Sequence, residues 1–356
     1  MRALTGRPTA TAGEAPPYRS ILLIRTDRVG DLVLSTPAIA SFRRSWPRAR
    51  IDILVTEYTE PIVRHSPDVD AVRVVPQSAP AAQLRRLARA AAADAELVVA
   101  LAPRTADYRL AAWTGVRPRL GYVYRRRYGS RLAVRFLLSS HVLSGADPYL
   151  AQRHPESRVE HEVAQVLGLV KLAGGRELTD RLVLRVGGEA AGFAAARIVP
   201  GAVALNLSPR WFLPNFGFDA VRSLIDLLAA ERRDIIVLYG NDVAQTAARL
   251  RGAVSAAAVT WLGGLPLLHW AAVLGRCAVV VTVDSGATHV AAAMGAPVVV
   301  VFESKYYRLS SQEWSPWRVP HVMLRKPEKR SGAGRLVADI GAAVESLHGG
   351  SFGGGA

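Results

Sequence analysis

The sequence lacks several features, and each absence narrows the classes of protein it can encode. Its 356 residues include a single cysteine, Cys277. An internal disulfide and a cysteine-based zinc site are therefore excluded, and a reducing compartment is favoured. The chain has no run of about 18 uninterrupted apolar residues, so we predict no membrane-spanning helix. Residues 1–17 also lack the apolar run of a signal peptide, and we expect a cytoplasmic protein.

Acidic side chains are scarce relative to basic ones, and the formal net charge is +16. Such a charge favours contact with phosphates, an anionic membrane face or nucleic acid. The segment 117–135 has seven arginines and three tyrosines but no acidic residue. It fits an acceptor or membrane surface, with Arg125 and Arg127 as candidate acceptor contacts, and it equally fits a solvated basic loop. Specific nucleic-acid binding is less favoured.

Short apolar runs alternate with longer amphipathic segments, a pattern typical of βαβ units and parallel sheets. The pattern restarts after residue 200, which predicts an α/β protein with two Rossmann-like domains facing a cleft. We expect these domains at 18–184 and 201–347, a linker at 185–200, and disordered tails at 1–17 and 348–356. The predicted strands are 20–25, 51–56, 71–75, 96–101, 202–205, 234–239, 278–283 and 296–302, and the predicted helices are 32–44, 57–65, 81–93, 158–173, 218–230, 243–251, 267–275 and 286–294.

The most informative segment is 279–302. An apolar strand there leads into Asp284 and Ser285, which precede a predicted helix. Gly286 lets a ligand approach the backbone closely, and the amides and dipole of the first turn favour an anion such as a diphosphate. Ser285 and His289 would share one helical face. Taken alone, these residues fit a plain capped helix equally well.

A second motif follows the first predicted strand and contains one glycine, Gly30. It is therefore neither a Walker loop nor a dinucleotide-binding turn. Asp27 and Asp31 place two carboxylates on a short segment, and one of them could accept a proton from an attacking hydroxyl. The alternative, favoured for this segment alone, is that Asp31 is a helix N-cap and Asp27 pairs with Arg25 or Arg28.

Together the two motifs resemble glycosyltransferase family 9, the heptosyltransferases of lipopolysaccharide core synthesis and their relatives. That family typically opens with a strand, then Arg-x-Asp-x-x-Gly-Asp and a Thr-Pro pair. Near its end it has Asp-(Ser/Thr)-Gly-x-x-His-x-x-Ala-Ala followed by Gly-x-Pro. The resemblance extends in order over roughly residues 20–317. The matching residues are Arg25, Asp27, Gly30, Asp31, Thr36, Pro37, Asp284, Ser285, Gly286, His289, Ala292, Ala293, Gly295 and Pro297.

The resemblance implies a GT-B fold, with the acceptor in the first domain and the nucleotide sugar in the second. It implies an inverting, metal-independent hexosyl or heptosyl transfer that needs no cofactor besides the nucleotide-sugar co-substrate, which is ADP-heptose in the best-known members. Asp31 matches the family's general base, and a carboxylate near a helix N-terminus is expected to stay ionised. The implied donor-binding residues are Asp284, Ser285, Gly286, His289, Arg210, Asn206, Gly240 and Asp242, and the implied acceptor or cleft residues are Arg25, Asp27 and Gly30.

One stretch departs from the family pattern. The family has a basic residue just before a Trp-Pro pair, and that basic residue binds the donor phosphates. This chain instead reads Pro209-Arg210-Trp211-Phe212-Leu213-Pro214. Either Arg210 supplies the charge from a shifted position or the contact is lost.

The sequence also leaves the acceptor open between a glycan, a glycolipid and a small natural product. Other classes of function are a non-catalytic polyanion-binding protein and a nucleotide-sugar epimerase or hydrolase of the same fold. Peripheral contact with the anionic inner membrane face is a further expectation.

Overall fold

The computed structural model describes residues 18–176, 178–230, 234–255 and 259–349. The tail predicted at 1–17, and residues 350–356 of the tail predicted at the other end, lie outside the described residues. Within them the chain forms two six-stranded sheets whose strand pairs are all parallel. The predicted α/β class with two parallel sheets is confirmed.

The first sheet has the strand order β3-β2-β1-β4-β5-β6. Its central strands are continuous apolar runs because helices cover both faces. The strand order reverses between β1 and β4, and open α/β sheets bind ligands beyond the carboxyl ends of the strands at such a point. The strands are β1 Ser20–Ile24, β2 Arg50–Thr56, β3 Ala71–Val75, β4 Leu97–Ala100, β5 Arg119–Tyr124 and β6 Ser140–Ser144.

Six helices flank this sheet, and alternate strand residues show which face each helix covers. Ile21 and Leu23 pack in the core under α1, α2 and α6, whereas Leu22 and Ile24 pack under α3, α4 and α5. The first of these cores continues into the second half of the chain, so α3, α4 and α5 form the outer layer. The helices are α1 Val29–Ser45, α2 Glu60–Val63, α3 Ala81–Ala91, α4 Thr105–Trp113, α5 Tyr128–Leu137 and α6 Glu162–Leu172.

The second sheet has the strand order β12-β11-β10-β7-β8-β9 and the same switch at its centre, between β7 and β10. Its strands are β7 Val203–Asn206, β8 Ile235–Tyr239, β9 Val259–Gly263, β10 Val279–Val283, β11 Val298–Phe302 and β12 His321–Arg325. The accompanying helices are α7 Gly187–Ala195, α8 Gly217–Ala230, α9 Ala244–Ala253, α10 Leu267–Arg276, α11 Gly286–Ala293, α12 Tyr307–Glu313 and α13 Ala333–Gly349.

Every strand and helix predicted from the alternating pattern is present in the structure, some with ends shifted by up to four residues. The interpretation of 117–135 as a solvated loop is wrong, because the segment contains β5 and most of α5. Arg119 lies buried in β5 because its guanidinium donates to the carbonyls of Leu137 and Val116, both at 2.9 Å. A buried arginine whose N–H groups are hydrogen-bonded can lie in a strand, and it interrupts the apolar pattern by which the strand would be predicted from the sequence.

The segment predicted as a linker contains α7, which packs against α10. Residues 348–349, predicted as the start of a tail, instead end α13. The proposed domain limits themselves stay predictions. Among the described helices, none combines the length and the apolar character needed to cross a membrane.

Candidate active site

The two sequence motifs meet where helices α1 and α11 begin. A Cβ atom placed on Gly30 would lie 2.7 Å from Cδ2 of His289 and 3.0 Å from Cα of Gly286. Real Cβ atoms do not approach other atoms so closely, so glycine at position 30 permits the contact. The N-terminal and C-terminal motifs therefore form one site, although more than 250 residues of chain separate them.

Three cavities of about 410, 530 and 610 Å³ follow one another along the cleft. We call the smallest the central cavity. It shares Arg28, Asp31 and further residues with a second cavity, which also contains Arg104 and Arg127 and is called the arginine cavity. On its other side it shares Ser285 and neighbours with a third, walled by several leucines and called the leucine cavity. Asp31 thus stands at the junction of the first two.

Arg25 organises the carboxylates around the arginine cavity. It follows β1 and is buried, with its Nε donating to Asp27 Oδ1 at 2.8 Å and its Nη1 donating to Glu162 Oε1 at 2.9 Å. Its Nη2 lies 3.6 Å from Asp31 Oδ1. One guanidinium therefore faces three carboxylates, which leaves an excess of negative charge. The predicted pairing of Asp27 with Arg25 is confirmed.

This environment controls the protonation of Asp31. Burial and the charge of Asp27 raise the pKa of Asp31, Arg25 opposes the shift, and the result is a pKa of about 8. The expectation that Asp31 stays ionised is wrong, because burial and neighbouring carboxylates outweigh the helix dipole. The cap position of α1 is Arg28, so the interpretation of Asp31 as the N-cap is also wrong. Asp31 lies in the first turn with its carboxylate 20% exposed to the cavity.

The start of α11 forms the opposite wall of the central cavity. Ser285 has extended backbone angles at the N-cap position. Its hydroxyl contacts Thr282 Oγ1 at 3.3 Å, and it makes no capping bond to the described part of the helix. The first turn therefore keeps its dipole and amides directed at the cavity, as an anion site requires.

Arg210 reaches this wall from the stretch that departs from the family pattern. It lies in a 3₁₀ turn, Pro209–Phe212, that Trp211 anchors by donating from Nε1 to the carbonyl of Asn206 at 2.9 Å. Arg210 Nη1 donates to Asp284 Oδ2 at 3.0 Å, and the side chain is 38% exposed. A cation therefore lies beside the start of α11, as the prediction of a shifted contact requires.

His289 is buried between the two helix starts. Burial lowers the pKa of His289 to about 3, so the imidazole is neutral at physiological pH. Its Nδ1 has no hydrogen-bond partner among the described residues, and the residue lines the central cavity. A buried unpaired nitrogen is costly, which makes His289 a candidate contact for a ligand in the central cavity.

Replacing this imidazole tests its predicted role. We expect His289→Ala to raise the dissociation constant of the nucleotide-sugar donor about tenfold, the worth of one good hydrogen bond to a charged group. Isothermal titration of the folded variant measures the change, with His321→Ala, an exposed histidine on β12, as the matched control. Equal affinities for the two variants would remove His289 from the donor site.

The remaining predicted donor residues line the leucine cavity. Asn206 ends β7, and its Oδ1 accepts a hydrogen bond from Trp270 Nε1 at 3.0 Å. Gly240 and Asp242 follow β8 and lie so close that a Cβ on Gly240 would be 2.7 Å from Asp242 Oδ1. Leu262 and other apolar side chains form the facing wall. The cavity therefore has one polar and one apolar side.

The structure separates the two arginines predicted to meet the acceptor. Arg127 lines the arginine cavity, donates from Nη1 to the carbonyl of Pro103 at 3.0 Å and lies 4.6 Å over the ring of Tyr124. Arg125 is exposed and lines a separate hollow beside β6. Arg125 therefore does not line the cleft.

Sequence reasoning missed two buried carboxylates. Glu162 begins α6 and accepts from the Tyr122 hydroxyl at 2.7 Å as well as from Arg25. Glu313, on α12, accepts from Gln165 Nε2 at 2.7 Å and from the Tyr124 hydroxyl, which ties α12 to the first sheet. Burial raises the pKa of Glu313 well above its usual range. No local sequence signal marks either residue, because their partners are far away in the chain.

Comparison with known proteins shows which proteins the chain resembles. The family model described as glycosyltransferase family 9 (heptosyltransferase) matches residues 214–332. Lipopolysaccharide heptosyltransferase 3 of Escherichia coli is 23% identical over 299 residues, which cover 81% of this chain and 83% of that protein.

Solved structures extend the likeness to both sheets. A family 9 glycosyltransferase from Veillonella parvula has a TM-score of 0.75 at 16% identity, covering 93% of this chain and 97% of that one. The Escherichia coli heptosyltransferase WaaC with ADP has a TM-score of 0.67 at 19% identity, covering 90% of this chain and 99% of that one. The GT-B fold is thereby confirmed, and the chain is similar to the glycosyltransferases of family 9 in both sequence and fold.

Proposed function

We propose that the protein transfers a sugar from a nucleoside diphosphate donor, with ADP-heptose as the first candidate, to a hydroxyl of a glycan or glycolipid acceptor in lipopolysaccharide biosynthesis. The observation that carries this proposal is the position of Asp31, whose carboxylate borders both the central cavity and the arginine cavity. The lipopolysaccharide heptosyltransferase relative and the ADP-bound heptosyltransferase support the choice of substrates.

The nucleotide-sugar donor is proposed to occupy the two adjoining cavities, the leucine cavity and the central cavity. A purine base suits the apolar wall of Leu262, Leu265 and Trp270, and a ribose suits the polar side at Asp242. The diphosphate would then meet the first turn of α11, with Arg210 beside it. Arginine is a good partner for phosphate because its guanidinium presents two parallel N–H groups.

The transfer follows from this arrangement. Asp31 accepts the proton of the acceptor hydroxyl as its oxygen forms a bond to the anomeric carbon. The bond from that carbon to the diphosphate oxygen breaks, and the nucleoside diphosphate leaves with the bonding electrons. The α11 dipole, His289 and Arg210 stabilise the charge that develops on the leaving group. Attack and departure on opposite sides of the carbon invert its configuration, and protein cations take the place of a metal ion.

The acceptor fits the arginine cavity. Arg28 and Arg104 lie there with substantially exposed side chains, and Arg127 lines the same space. The exposed guanidinium groups of Arg28 and Arg104 favour an acceptor that has phosphate or carboxylate groups near its reacting hydroxyl, whereas Arg127 is already paired with Asp147. This chemistry supports an acidic glycolipid over a neutral small molecule.

We also infer a cytoplasmic location at the inner membrane face, where such a glycolipid is accessible to a nucleotide sugar.

The proposal is tested by offering the protein a panel of nucleotide sugars, beginning with ADP-heptose. A bound donor stabilises the folded state by mass action, so the true donor should raise the melting temperature the most. Release of nucleoside diphosphate should then depend on an added acceptor. Release at the same rate without any acceptor would instead indicate a hydrolase or an epimerase.

The raised pKa of Asp31 predicts a pH dependence. Only the ionised carboxylate can accept a proton, so kcat/KM should rise between pH 6 and 8 and level off above the pKa of about 8. The ionised fraction grows about fiftyfold over that interval for a group of this pKa. Initial rates in buffers of constant ionic strength measure the profile. A flat profile from pH 6 to 9 would contradict the assignment of Asp31 as the base.

A further inference from the structure

Helix α5 presents an apolar stripe to the outside of the molecule. Tyr128, Leu132 and Phe136 are 70%, 57% and 75% exposed, and their spacing of four residues aligns them on one face. The opposite face already packs into the core through Val134 and Leu138. The exposed stripe is therefore not needed for folding. Single exposed apolar residues are ordinary, but three large ones in a row indicate a contact surface.

Arginines surround this stripe. Arg131 and Arg135 are exposed on the same helix, and Arg125 precedes it. Over residues 81–135, which span the outer layer of α3, α4 and α5, the chain has twelve arginines and three acidic residues. Of those three, Asp107 is buried and Glu96 pairs with Arg19. The outer layer is therefore strongly positive, and its charge complements an anionic partner.

The position of α5 relates the surface to the cleft. Its cap residue, Arg127, lines the arginine cavity, and Ser130 in its first turn faces Thr105 at 3.5 Å. A flat partner lying along the stripe would thus border the mouth of the cavity where the acceptor is proposed to bind. A bilayer has the required combination of a flat shape, an apolar interior and a phosphate surface.

We propose that α5 docks on an anionic lipid bilayer. Leu132 and Phe136 enter the boundary between headgroups and acyl chains, Tyr128 lies at headgroup level, and the flanking arginines contact lipid phosphates. The binding itself is independent of the transfer reaction. Its purpose, to bring the arginine cavity to a glycolipid, rests on the proposed function.

The experiment is flotation of the full chain with vesicles of equal parts phosphatidylglycerol and phosphatidylcholine, compared with phosphatidylcholine alone. We expect binding to the anionic vesicles that weakens with salt. The double variant Leu132→Ser/Phe136→Ser should lose at least tenfold in partition coefficient, whereas Val199→Ser, an exposed apolar residue elsewhere, should not. Arg131→Glu/Arg135→Glu should also lose at least tenfold, and Arg251→Glu on α9 should lose less than threefold.

Two further measurements keep the result independent of folding and of the proposed function. The melting temperature and its increase with the nucleotide donor should be the same for the Leu132→Ser/Phe136→Ser variant as for the parent. The proposal would be overturned if the parent protein failed to bind anionic vesicles. It would also be overturned if both double variants bound them as well as the parent does. A dimer seen in solution that the apolar double variant abolishes without affecting vesicle binding would assign the stripe to a second copy instead. Vesicle binding without any sugar transfer would refute only the proposed function.

Discussion

Asp31→Asn is expected to lower the rate of sugar transfer about a thousandfold, within the range for loss of a general base. The amide keeps the size and polarity of the carboxylate, and the first turn of α1 is unchanged. Donor affinity should therefore stay within about threefold of the parent, since the diphosphate is proposed to bind across the cavity at α11. Single-turnover rates and donor titrations separate the two effects.

Asp27→Asn is the informative control on the same segment. The charge of Asp27 raises the pKa of Asp31, so its removal should shift the rising limb of the pH profile to lower pH without abolishing transfer. Unchanged transfer by Asp31→Asn would remove this residue as the base. Equal thousandfold losses of transfer rate for both variants would indicate that each substitution disturbs the local structure of the segment rather than removing a base.

Gly30→Val is expected to lower kcat/KM more than a hundredfold, and Gly30→Ala is expected to have a kcat/KM between those of the parent and Gly30→Val. The added Cβ would overlap with His289 and with the backbone of Gly286, at 2.7 and 3.0 Å. The backbone of α11 cannot yield as a side chain would, so the two helix starts must move apart. A misplacement of about 1 Å between reacting groups is enough for a loss of this size.

The control for this prediction is Gly252→Ala on α9, where an added Cβ meets no atom within 4 Å. It should leave kcat/KM unchanged and the melting temperature unchanged or slightly raised. Small-angle scattering should show a more open Gly30→Val variant. Full activity in that variant would mean that the contact between the helix starts is not part of the working state.

The sequence was most informative where a buried apolar strand ends in polar residues. Residues 20–24 and 279–283 form such strands, and parallel topology places their carboxyl ends at the cleft. Gly30 and Gly286 stand out in the sequence because each follows such a strand and glycine permits close approach. What the sequence did not reveal is that these two glycines contact each other.

The missed features depend on contacts between distant parts of the chain. The raised pKa of Asp31 follows from its burial and from the charges of Asp27 and Glu162, which outweigh that of Arg25, and Glu162 lies 137 residues from Arg25. The strand β5 was hidden because Arg119, polar in the sequence, is satisfied by carbonyls in the fold. Such pairings leave no periodic signal for sequence reasoning to use.

The proposed transfer requires one cleft in which Asp31 faces a diphosphate bound at the start of α11. A crystal structure of Asp31→Asn with its intact nucleotide sugar tests this most directly. We predict phosphate oxygens within hydrogen-bond distance of the Gly286 and Ala287 amides. We also predict an anomeric carbon that faces position 31 with room for one hydroxyl between them, about 3–3.5 Å from the carbon. A diphosphate bound away from α11, or an anomeric carbon turned away from position 31, would contradict the proposed transfer.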